Sequence, residues 1–570
     1  SITFNGKKLY HNDEISQAFS CYFQTVFTTD PATYDTNHIV NNDLCDILDI
    51  FCMCEITVEE IENAIKALKP KSSCGPDGIP PYVVKGCADI LKQPLLIIFN
   101  MSIKNNLFPD KWKESIICPI PKAGQKNDIH NYRPVSILSP FAKILEAIIY
   151  RRILNHVEPA ISAFQHGFLK NRSCITNLAI VTDYIAKELD KGGQVDVIYT
   201  DFSKAFDKVN HDVLLQKLAY FNFSKQAIGY LASYLFKRQQ AVIYKGYITK
   251  KFVSRSGVPQ GSQLGPLLFL LVINDIAKDI KNSEILLFAD DLKLFTRIKS
   301  VEDGILLQQD LQRVQEWCDE NKLMLNVPKC KSVSFCRKEN PIDFTYSING
   351  ADLSKDKSVK DLGVIFDPKL TFIQHIDYVV NNSYRNLGFI FRLGKEFKND
   401  SILIKLYNIY VRSRLEYASV IWSTEVNKYI NAIENVQYKF LKMLTFRKTS
   451  FYPKMISYTD LVRNFNFLTL ENRRKMLDLL FLHKILNNKI DCPSILSKVS
   501  LRIPSGRTRL GNTGVFFCEK ARTNILSRSP MWRTCTSYNA ILDQLSELDL
   551  FNMSENVFKK QVINGYLTTK

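Results

Sequence analysis

Two adjacent carboxylates, Asp290 and Asp291, interrupt the otherwise almost wholly apolar stretch EILLFADDLKLF at 284–295. Apolar residues alternate on both sides of the pair, which predicts two short strands and a tight hairpin with Ala-Asp-Asp at its tip. Aspartate is common in turns because its side chain bonds nearby backbone, so an isolated pair is most simply an ordinary turn. A functional role requires a further acidic residue that the fold brings to the same place.

A second predicted strand ends in such a residue. The apolar segment QVDVIYT at 194–200 runs into Asp201, and a helix-like segment follows. The separation of Asp201 and Asp290 (290 minus 201, or 89 residues) leaves room for a helix and a hairpin between the two strands. Carboxylates at two strand ends of one sheet can share Mg²⁺ ions, which keep water and substrate phosphate as further ligands. The pattern therefore predicts a two-metal site for nucleotidyl transfer.

The composition limits the partners of the chain. Its 570 residues are 46% hydrophobic, enough for several domains, and 75 Lys and Arg against 57 Asp and Glu give a net charge of +18. This excess favours a polyanion, nucleic acid first and acidic lipid second. The 14 cysteines lack the paired spacing of zinc sites, which favours reduced thiols in an intracellular protein. The apolar runs are too short to cross a bilayer, so no membrane partner is expected.

The periodicity predicts an α+β domain followed by a mostly helical region. A capping box from Thr57 to Glu60 opens the first clear helix. Further helices are expected around 86–105, 139–155, 205–219 and 304–320, and strands within 194–201, 239–253 and 284–295. From about 370 the pattern is nearly all helical, with a loop or linker at 493–514. The start at Ser1 fits either removal of an initiator methionine or a piece of a longer polyprotein.

Three longer segments resemble motifs A, B and C of the reverse transcriptases of non-LTR (LINE-type, Jockey/CR1-like) retrotransposons. They are TDFSKAFDKVNHDVL at 200–214, SGVPQGSQLGPLLF at 256–269 and FADDLKLF at 288–295. Other segments extend the resemblance over most of the chain, with finger segments at 120–138 and 164–178, motif D at 323–335 and the primer grip at 361–376. Several long motifs in one order are far more specific than the acidic pair alone.

The resemblance implies a right-hand polymerase with fingers, a palm built on an antiparallel sheet, and a helical thumb. The expected divisions are an N-terminal extension at 1–68, fingers and palm at 69–335, the primer-grip region and thumb at 336–445, and a basic helical domain at 446–570. The N-terminal extension is expected to be helical and to link to an upstream domain.

The resemblance also implies the catalytic residues. Asp201 and Asp290 would bind two Mg²⁺ ions, with Mn²⁺ as a substitute, and the backbone carbonyl of Phe202 would join them. Asp291 would contribute charge or a weaker contact. Lys329, in motif D, is a candidate general acid for the pyrophosphate leaving group. A basic surface loop explains Lys329 equally well.

Five residues are implied to bind the incoming nucleotide: Lys122, Arg133, Phe206, Gln260 and Gly261. The two cations match phosphate oxygens, although each alone could be a solvated surface charge. An aromatic ring at Phe206 would clash with a ribose 2′-hydroxyl, so the product should be DNA; taken by residue type alone it is a helix core residue. Gly261 permits the close backbone approach that a template base or nucleotide sugar would need, although by itself the segment is more simply an ordinary Gly-Pro turn.

Template and primer would contact residues of the finger and primer-grip segments, namely Gln165, Phe168, Arg172, Leu362 and Gly363. A C-terminal RNA-binding surface is a further hypothesis, because basic and aromatic residues are mixed there. They are Arg473, Arg474, Lys475, Arg502, Arg507, Arg509, Arg522, Arg528 and Arg533 with Phe516, Phe517 and Trp532. Solvated charges over a small helical core are an equally good explanation.

The sequence thus predicts an RNA-directed DNA polymerase that copies retrotransposon RNA from a 3′-hydroxyl primer. Its expected partners are RNA template, DNA primer or target DNA, and dNTPs. An endonuclease is not recognisable and would act from upstream in a longer parent or in trans. Target-primed synthesis would take place in the nucleus and ribonucleoprotein assembly in the cytoplasm. A decayed copy that only binds RNA, and an RNA-directed RNA polymerase, are the alternatives.

Overall fold

The computed structural model describes residues 1–27, 48–122, 124–450, 456–503, 514–542, 544, 545 and 547–568. The first elements are β1 (Ile2–Phe4), β2 (Lys7–Leu9), α1 (Asn12–Gln24), α2 (Val58–Ala67), α3 (Pro81–Gly86), α4 (Ala88–Lys104), β3 (Glu114–Pro121), β4 (Tyr132–Leu138), α5 (Pro140–Val157) and α6 (Cys174–Asp190). The middle of the chain contains β5 (Gln194–Thr200), α7 (Ala205–Lys208), α8 (His211–Tyr220), α9 (Lys225–Leu235), β6 (Gln239–Tyr244), β7 (Tyr247–Ile248), β8 (Phe252–Val253), α10 (Leu264–Ile273), β9 (Glu284–Phe288), β10 (Asp291–Ile298) and α11 (Val301–Glu320).

Short strands and then helices follow. They are β11 (Lys331–Cys336), β12 (Ser347–Ile348), β13 (Ala351–Asp352), β14 (Ser354–Lys355), β15 (Val359–Asp361), β16 (Val364–Phe366), α12 (Ile373–Leu393), α13 (Asp400–Tyr407), α14 (Ser413–Glu416), α15 (Ser419–Trp422), α16 (Asn427–Thr449), α17 (Tyr458–Asn464), α18 (Leu470–Leu486), α19 (Pro493–Leu496), β17 (Ser500–Leu501), β18 (Phe516–Phe517), α20 (Asn524–Ser527), α21 (Pro530–Leu542) and α22 (Glu555–Thr568). The chain is therefore α+β, as predicted.

The central sheet has five strands in the order β14-β11-β5-β10-β9. Its middle strand, β5, pairs antiparallel with both β10 and β11. The hairpin predicted from FADDLKLF is confirmed: Phe288 lies opposite Asp291, so Ala289 and Asp290 form the turn and Asp291 is the first residue of β10. Because Leu292 pairs with Thr200, the turn lies next to the end of β5 and Asp201.

Both faces of the central sheet are buried, which explains why its strands are almost continuously apolar. Leu287 and Leu294 pack on one face in a core that includes α8, α9 and α10. Leu286 and Phe295 face the other side, where α6 and the helices after residue 370 form a second core. The apolar flanks of the acidic pair thus hold the turn in a rigid, fully covered sheet.

A second sheet, called the outer sheet here, has the order β4-β3-β6-β7, with β8 paired to β6. The N-terminal helix α1 packs on it through Phe19 and Phe23, which join Ile117, Tyr132 and Val242 in one apolar cluster. Helix α1 and the outer sheet therefore share one small apolar core.

The predicted helices are mostly confirmed, with one correction. The capping box is present, since the Thr57 side chain and the Glu60 backbone and side chain bond reciprocally at the start of α2. A single helix over 205–219 is wrong, because the segment is divided into α7 and α8. The division occurs where the Asn210 side chain accepts a hydrogen bond from the N–H of Val213 and so caps a new helix.

The C-terminal helices do not have a separate core throughout. Phe440 of α16 and Phe481 of α18 belong to the core on the second face of the central sheet, while the other side of α18 packs with α21 and α22. Part of the predicted linker, at 504–513, lies outside the described residues. None of the helices described is long and apolar enough to cross a membrane. The divisions after residues 68, 335 and 445 stay predictions.

Candidate active site

The turn that carries Asp290 is held by a buried amide. Ala289 has a φ of +56°, in the left-handed region that costs non-glycine residues free energy. The side-chain oxygen of Gln165 accepts hydrogen bonds from the N–H groups of Ala289 at 2.8 Å and Gly167 at 2.7 Å. A Cβ at Gly167 would lie 2.3 Å from the Ala289 nitrogen, so only glycine allows this approach. Gln165 therefore fixes the position of the acidic turn from inside the protein.

Asp201 and Asp290 face a common cleft of about 480 Å³. Six parts of the chain line it. Beside the two carboxylates they contribute Tyr22, Phe23, Val26, Lys122, His130, Tyr132, Arg133, Pro134, Phe202, Ser203, Lys204, Ala205, Phe206, Asp207, Gln260, Asn326 and Lys329. The cleft thus combines acidic, basic and aromatic side chains from motifs A to D.

The two carboxylates are close enough to affect one another. Burial, and then the negative charge of Asp201, raise the pKa of Asp290, while Arg133 and Lys122 act in the opposite direction. A like charge in a poorly solvated site disfavours ionisation of Asp290, and a cation between the two side chains would relieve this repulsion. The electrostatics of the pair therefore favour a bound cation.

Asp291 has different neighbours from Asp290. Enclosure by the protein, and then the charges of Asp290 and Asp361, raise the pKa of Asp291 to about 7. Lys293, two residues further along β10, forms a buried ion pair with Asp361 of β15. The side chain of Asp291 therefore belongs to a charge cluster between β10 and the β15–β16 hairpin.

Asp201 contacts residues of motif D. Its Oδ2 atom accepts hydrogen bonds from the Lys329 Nζ at 3.0 Å and the Asn326 Nδ2 at 3.2 Å. The Asn326 N–H donates to the Asp201 carbonyl at 2.7 Å, which ties this loop to the end of β5. The ammonium of Lys329 thus lies beside a predicted metal ligand, on a side chain that is 62% exposed and free to reorient.

The donor set fits Mg²⁺ better than a metal that needs a closed protein cage. Within the ranges the structure describes, no three His, Cys, Asp or Glu side chains converge as a complete metal site. Asp201 and Asp290 supply hard oxygen ligands. Phe202, the residue after Asp201, lines the same cleft. Mg²⁺ uses one or two carboxylates and completes its shell with water and substrate phosphate, so these residues suffice.

Three further cations line the cleft: Lys122, Arg133 and Lys204. Burial and the charges of Lys329 and Arg133 lower the pKa of Lys122. Burial also lowers the pKa of Lys204 to about 8, and its Nζ lies 4.3 Å from the centre of the Tyr22 ring. Neither Lys122 nor Arg133 forms an ion pair with any residue that the structure describes. The cleft therefore presents positive charge that an anionic ligand can neutralise.

Phe206 forms an aromatic wall of the cleft. Its ring stacks on Phe269 with centroids 4.5 Å apart and meets Phe168 edge-on at 5.9 Å. The side chain is half-buried. Phe206 therefore lines the cleft while its ring packs on Phe269 of α10, which fixes its position.

Gln260 is held against motif A by Asp207. The Gln260 Nε2 donates to the Asp207 Oδ1 at 2.9 Å, and the Gln260 carbonyl accepts from the Ser136 N–H at 2.7 Å. Gly261 has a φ of +121°, and a Cβ there would lie 2.5 Å from the Ser136 carbonyl oxygen. Gly261 thus allows motif B to contact β4. Burial raises the pKa of Asp207, the partner of Gln260, to about 6.

The predicted template and primer residues are not all exposed. Gln165 is buried, and Arg172 donates to the carbonyls of Ser162, Ala163 and Gln165. Phe168 is 49% exposed beside Phe206. These contacts give Gln165 and Arg172 internal structural roles, and their contact with template stays a prediction.

Leu362 and Gly363 form the turn between β15 and β16. Tyr417 donates from its hydroxyl to the Leu362 carbonyl at 2.8 Å. A Cβ at Gly363, where φ is +91°, would approach the Tyr417 ring to 3.0 Å. The turn is therefore supported by the helical region, and its contact with a primer also stays a prediction.

Several cleft residues were not singled out from the sequence, among them Asp207, Lys204, Asn326 and Tyr22. The first three lie within quoted motifs, so their positions beside Phe206, Asp201 and Lys329 were the available signal. Tyr22 had no such signal, because it reaches the cleft only through the packing of α1 on the outer sheet.

Carboxylates at neighbouring strand ends, facing a basic cleft with an aromatic wall, are the groups that two-metal nucleotidyl transfer requires. Residues 120–366 match the family described as reverse transcriptase (RNA-dependent DNA polymerase). This part of the chain is therefore similar to a reverse transcriptase domain.

Several curated proteins are similar to the chain. The RNA-directed DNA polymerase from mobile element jockey of Drosophila funebris is 29% identical over 405 residues, which cover 68% of this chain and 44% of that protein. The probable RNA-directed DNA polymerase from transposon BS of Drosophila melanogaster is 28% identical over 434 residues, or 73% of this chain and 47% of that protein. The chain thus spans less than half of the length of these relatives.

Proposed function

We propose that the chain is an RNA-directed DNA polymerase that extends a 3′-hydroxyl primer along a retrotransposon RNA template. The observation that carries this proposal is the meeting of Asp201 and Asp290 in one cleft with Lys122, Arg133 and Phe206. The names of the similar proteins support the same activity.

The proposed architecture is a right hand. The central sheet would be the palm, and the outer sheet with α2 to α5 would form the fingers. The β15–β16 hairpin would be the primer grip, supported by a thumb built from α12 to α16. Contacts of α12 with α16 and β16 support this assignment, because they connect the predicted thumb to the predicted grip.

Asp201 and Asp290 would hold two Mg²⁺ ions, together with the Phe202 carbonyl. Bound Mg²⁺ would supply activation of the primer 3′-hydroxyl and neutralisation of the triphosphate. Lys122 and Arg133 would bind phosphate oxygens and orient the triphosphate for in-line attack. Lys329 would exchange its contact with Asp201 for one with the pyrophosphate and donate a proton to it.

Phe206 would select deoxynucleotides. Because Phe269 and Phe168 contact two sides of its ring, the ring cannot easily move away from a 2′-hydroxyl. This packing supports DNA as the product over RNA. The dNTPs, RNA template, and DNA primer or target DNA would be the partners, with an endonuclease acting from upstream or in trans. We propose the nucleus and cytoplasm as sites of synthesis and assembly.

Primer extension on poly(A)/oligo(dT) tests the proposal. Wild-type protein should incorporate dTTP in preference to UTP when Mg²⁺ is present. Asp290→Asn should lower the rate by at least about 1,000-fold, because metal-ion stabilisation is worth several kcal/mol and each 1.4 kcal/mol is tenfold. The exposed Asp279 provides a matched control, and Asp279→Asn should leave the rate unchanged.

Two results would decide against DNA synthesis at this site. Equal rates for Asp290→Asn and wild type would place the chemistry elsewhere. RNA binding without incorporation, over a range of salt and Mg²⁺ concentrations, would favour a decayed copy that only binds RNA. Preference for UTP would instead favour an RNA polymerase.

A further inference from the structure

Asp207 is the buried acidic residue of the cleft. It follows Phe206 directly in α7 and is only 8% exposed. Its main-chain carbonyl accepts a hydrogen bond from the Ser256 Oγ at 2.8 Å. Gly257, with a φ of +83°, allows the motif B loop to approach so closely that a Cβ there would lie 2.6 Å from the same carbonyl oxygen. The motif B loop therefore fixes the main chain of Asp207.

The hydrogen-bonding capacity of this carboxylate is only partly used. Its Oδ1 accepts from the Gln260 Nε2 at 2.9 Å, whereas an ionised carboxylate can accept about four hydrogen bonds. No Lys, Arg or His nitrogen lies within ion-pair distance of it in the part of the chain that the structure describes. Lys204 and Lys122 act on it only at longer range. Asp207 is thus an oriented acceptor that lines the cleft and lacks a close cation.

The chemistry of the proposed substrate leaves one donor for this acceptor. This inference rests on the proposed function. The phosphate groups of a deoxynucleoside triphosphate are acceptors, and Lys122 and Arg133 would bind them. The polar edge of the base would pair with the template. The sugar has no 2′-hydroxyl, which Phe206 would reject, so its 3′-hydroxyl is the remaining donor.

We propose that the Asp207 carboxylate accepts a hydrogen bond from the 3′-hydroxyl of the incoming nucleotide and thereby selects nucleotides that can be extended. Gln260 orients the carboxylate through its amide N–H group. A nucleotide without a 3′ donor leaves a buried acceptor unpaired, which is costly. Phe206 and Asp207, adjacent in the chain, would then read the 2′ and 3′ positions of one sugar.

Substrate analogues test this on the unchanged protein. Single-nucleotide incorporation opposite poly(A) is measured with dTTP and with its 3′-amino, 3′-fluoro and 3′-deoxy analogues. The 3′-amino analogue can donate a hydrogen bond and should be used nearly as well as dTTP. The 3′-fluoro and 3′-deoxy analogues cannot donate, and their kcat/KM should be lower by roughly 10- to 100-fold. Equal kcat/KM for all four nucleotides would overturn the proposal.

Variants separate recognition from structural support. Asp207→Asn keeps the volume but can turn a donor toward the sugar, so the ratio of kcat/KM for dTTP over the 3′-deoxy analogue should fall toward one. A parallel loss for both nucleotides would show that Asp207 only supports the fold, and would also overturn the proposal. Phe206→Ala should relax selection against UTP and leave the 3′ preference intact.

Binding distinguishes this inference from the proposed function. If wild-type protein incorporates no nucleotide at all, the proposed function fails. The affinities of dTTP and its 3′-deoxy analogue for the protein with template and primer are then compared directly. A tighter Kd for dTTP that Asp207→Asn abolishes supports the recognition, and equal Kd values reject it.

Discussion

The basic residues of the cleft and those of the C-terminal helices look alike in the sequence but have different partners in the structure. Lys122 and Arg133 face the cleft and have no carboxylate within ion-pair distance among the residues described. The C-terminal Arg533 is buried, and its Nε donates to the Asp478 Oδ2 at 2.9 Å. Its other nitrogens donate to the carbonyls of Arg528 and Val420.

Other C-terminal arginines are also used internally. Arg473 forms an ion pair with Glu416, and the ion pair of Arg528 with Glu425 spans 3.7 Å. Arg474 is 1% exposed, with three nearby carboxylates that support its charge. Arg507 and Arg509 lie outside the described residues. Positive charge in the cleft is therefore available to a ligand, whereas much of the C-terminal positive charge lies among carboxylates of the protein itself.

Removal of a C-terminal guanidinium should have the largest effect, and the effect should be on stability. Arg533→Met removes the ion-pair partner of the buried Asp478, which costs about 3–5 kcal/mol. Urea unfolding, followed by hydrogen exchange of amides in α21, measures the loss. Arg522→Met is the matched control, because Arg522 is exposed and such changes cost less than about 0.5 kcal/mol.

The double variant Arg533→Met/Asp478→Leu sharpens this test. It removes both charges, so it should recover much of the lost stability. If Arg533→Met is as stable as wild type, Arg533 does not have the structural role that separates it from the cleft cations.

Removal of a cleft guanidinium should affect substrate binding and leave stability unchanged. Arg133→Ala removes charge-assisted hydrogen bonds to phosphate, so the KM for dNTP should rise roughly 10- to 100-fold. The exposed Arg151 on α5 provides a control, and Arg151→Ala should have little effect on KM. Steady-state kinetics and the unfolding midpoint are measured on the same samples. A lower midpoint with unchanged KM would reverse the distinction between the two regions.

The sequence predicts local structure well, because local structure depends on nearby residues. The capping box at Thr57 and the hairpin at Asp290 were both readable from a few adjacent residues. The meeting of Asp201 and Asp290 was also predictable, since both lie at the ends of apolar strands. These features depend on hydrogen bonding within a turn and on the pattern of buried side chains.

Partners that are distant in the chain could not be predicted in this way. Arg533 contacts the Val420 carbonyl across 113 positions, and no local pattern indicates that contact. Gln165 lies in a segment that resembles a finger motif, yet its amide holds the Ala289 turn 124 positions away. A polar residue type indicates that a partner is required, but only the fold determines whether that partner is protein or substrate.

The smallest expected effect concerns the C-terminal cations that remain exposed. Truncation at about residue 440 is a poor test of RNA binding, because it removes Leu441 and Leu444 from the core shared with the central sheet. Neutralising the exposed Lys520 and Arg522 leaves that core intact. If both contact phosphate, the double change to Gln should reduce the slope of log affinity against log salt by up to about 1.4.

The measurement is template RNA binding over a range of salt concentrations. Lys475→Gln is the control, because Lys475 is paired with Glu471 at 2.8 Å on the surface of α18. An unchanged slope in the double variant would show that Lys520 and Arg522 do not contact RNA phosphate. A reduction equal to that of the Lys475→Gln control would show general charge rather than a surface contact. Either result would extend the contrast with the cleft cations to these exposed cations of the C-terminal region.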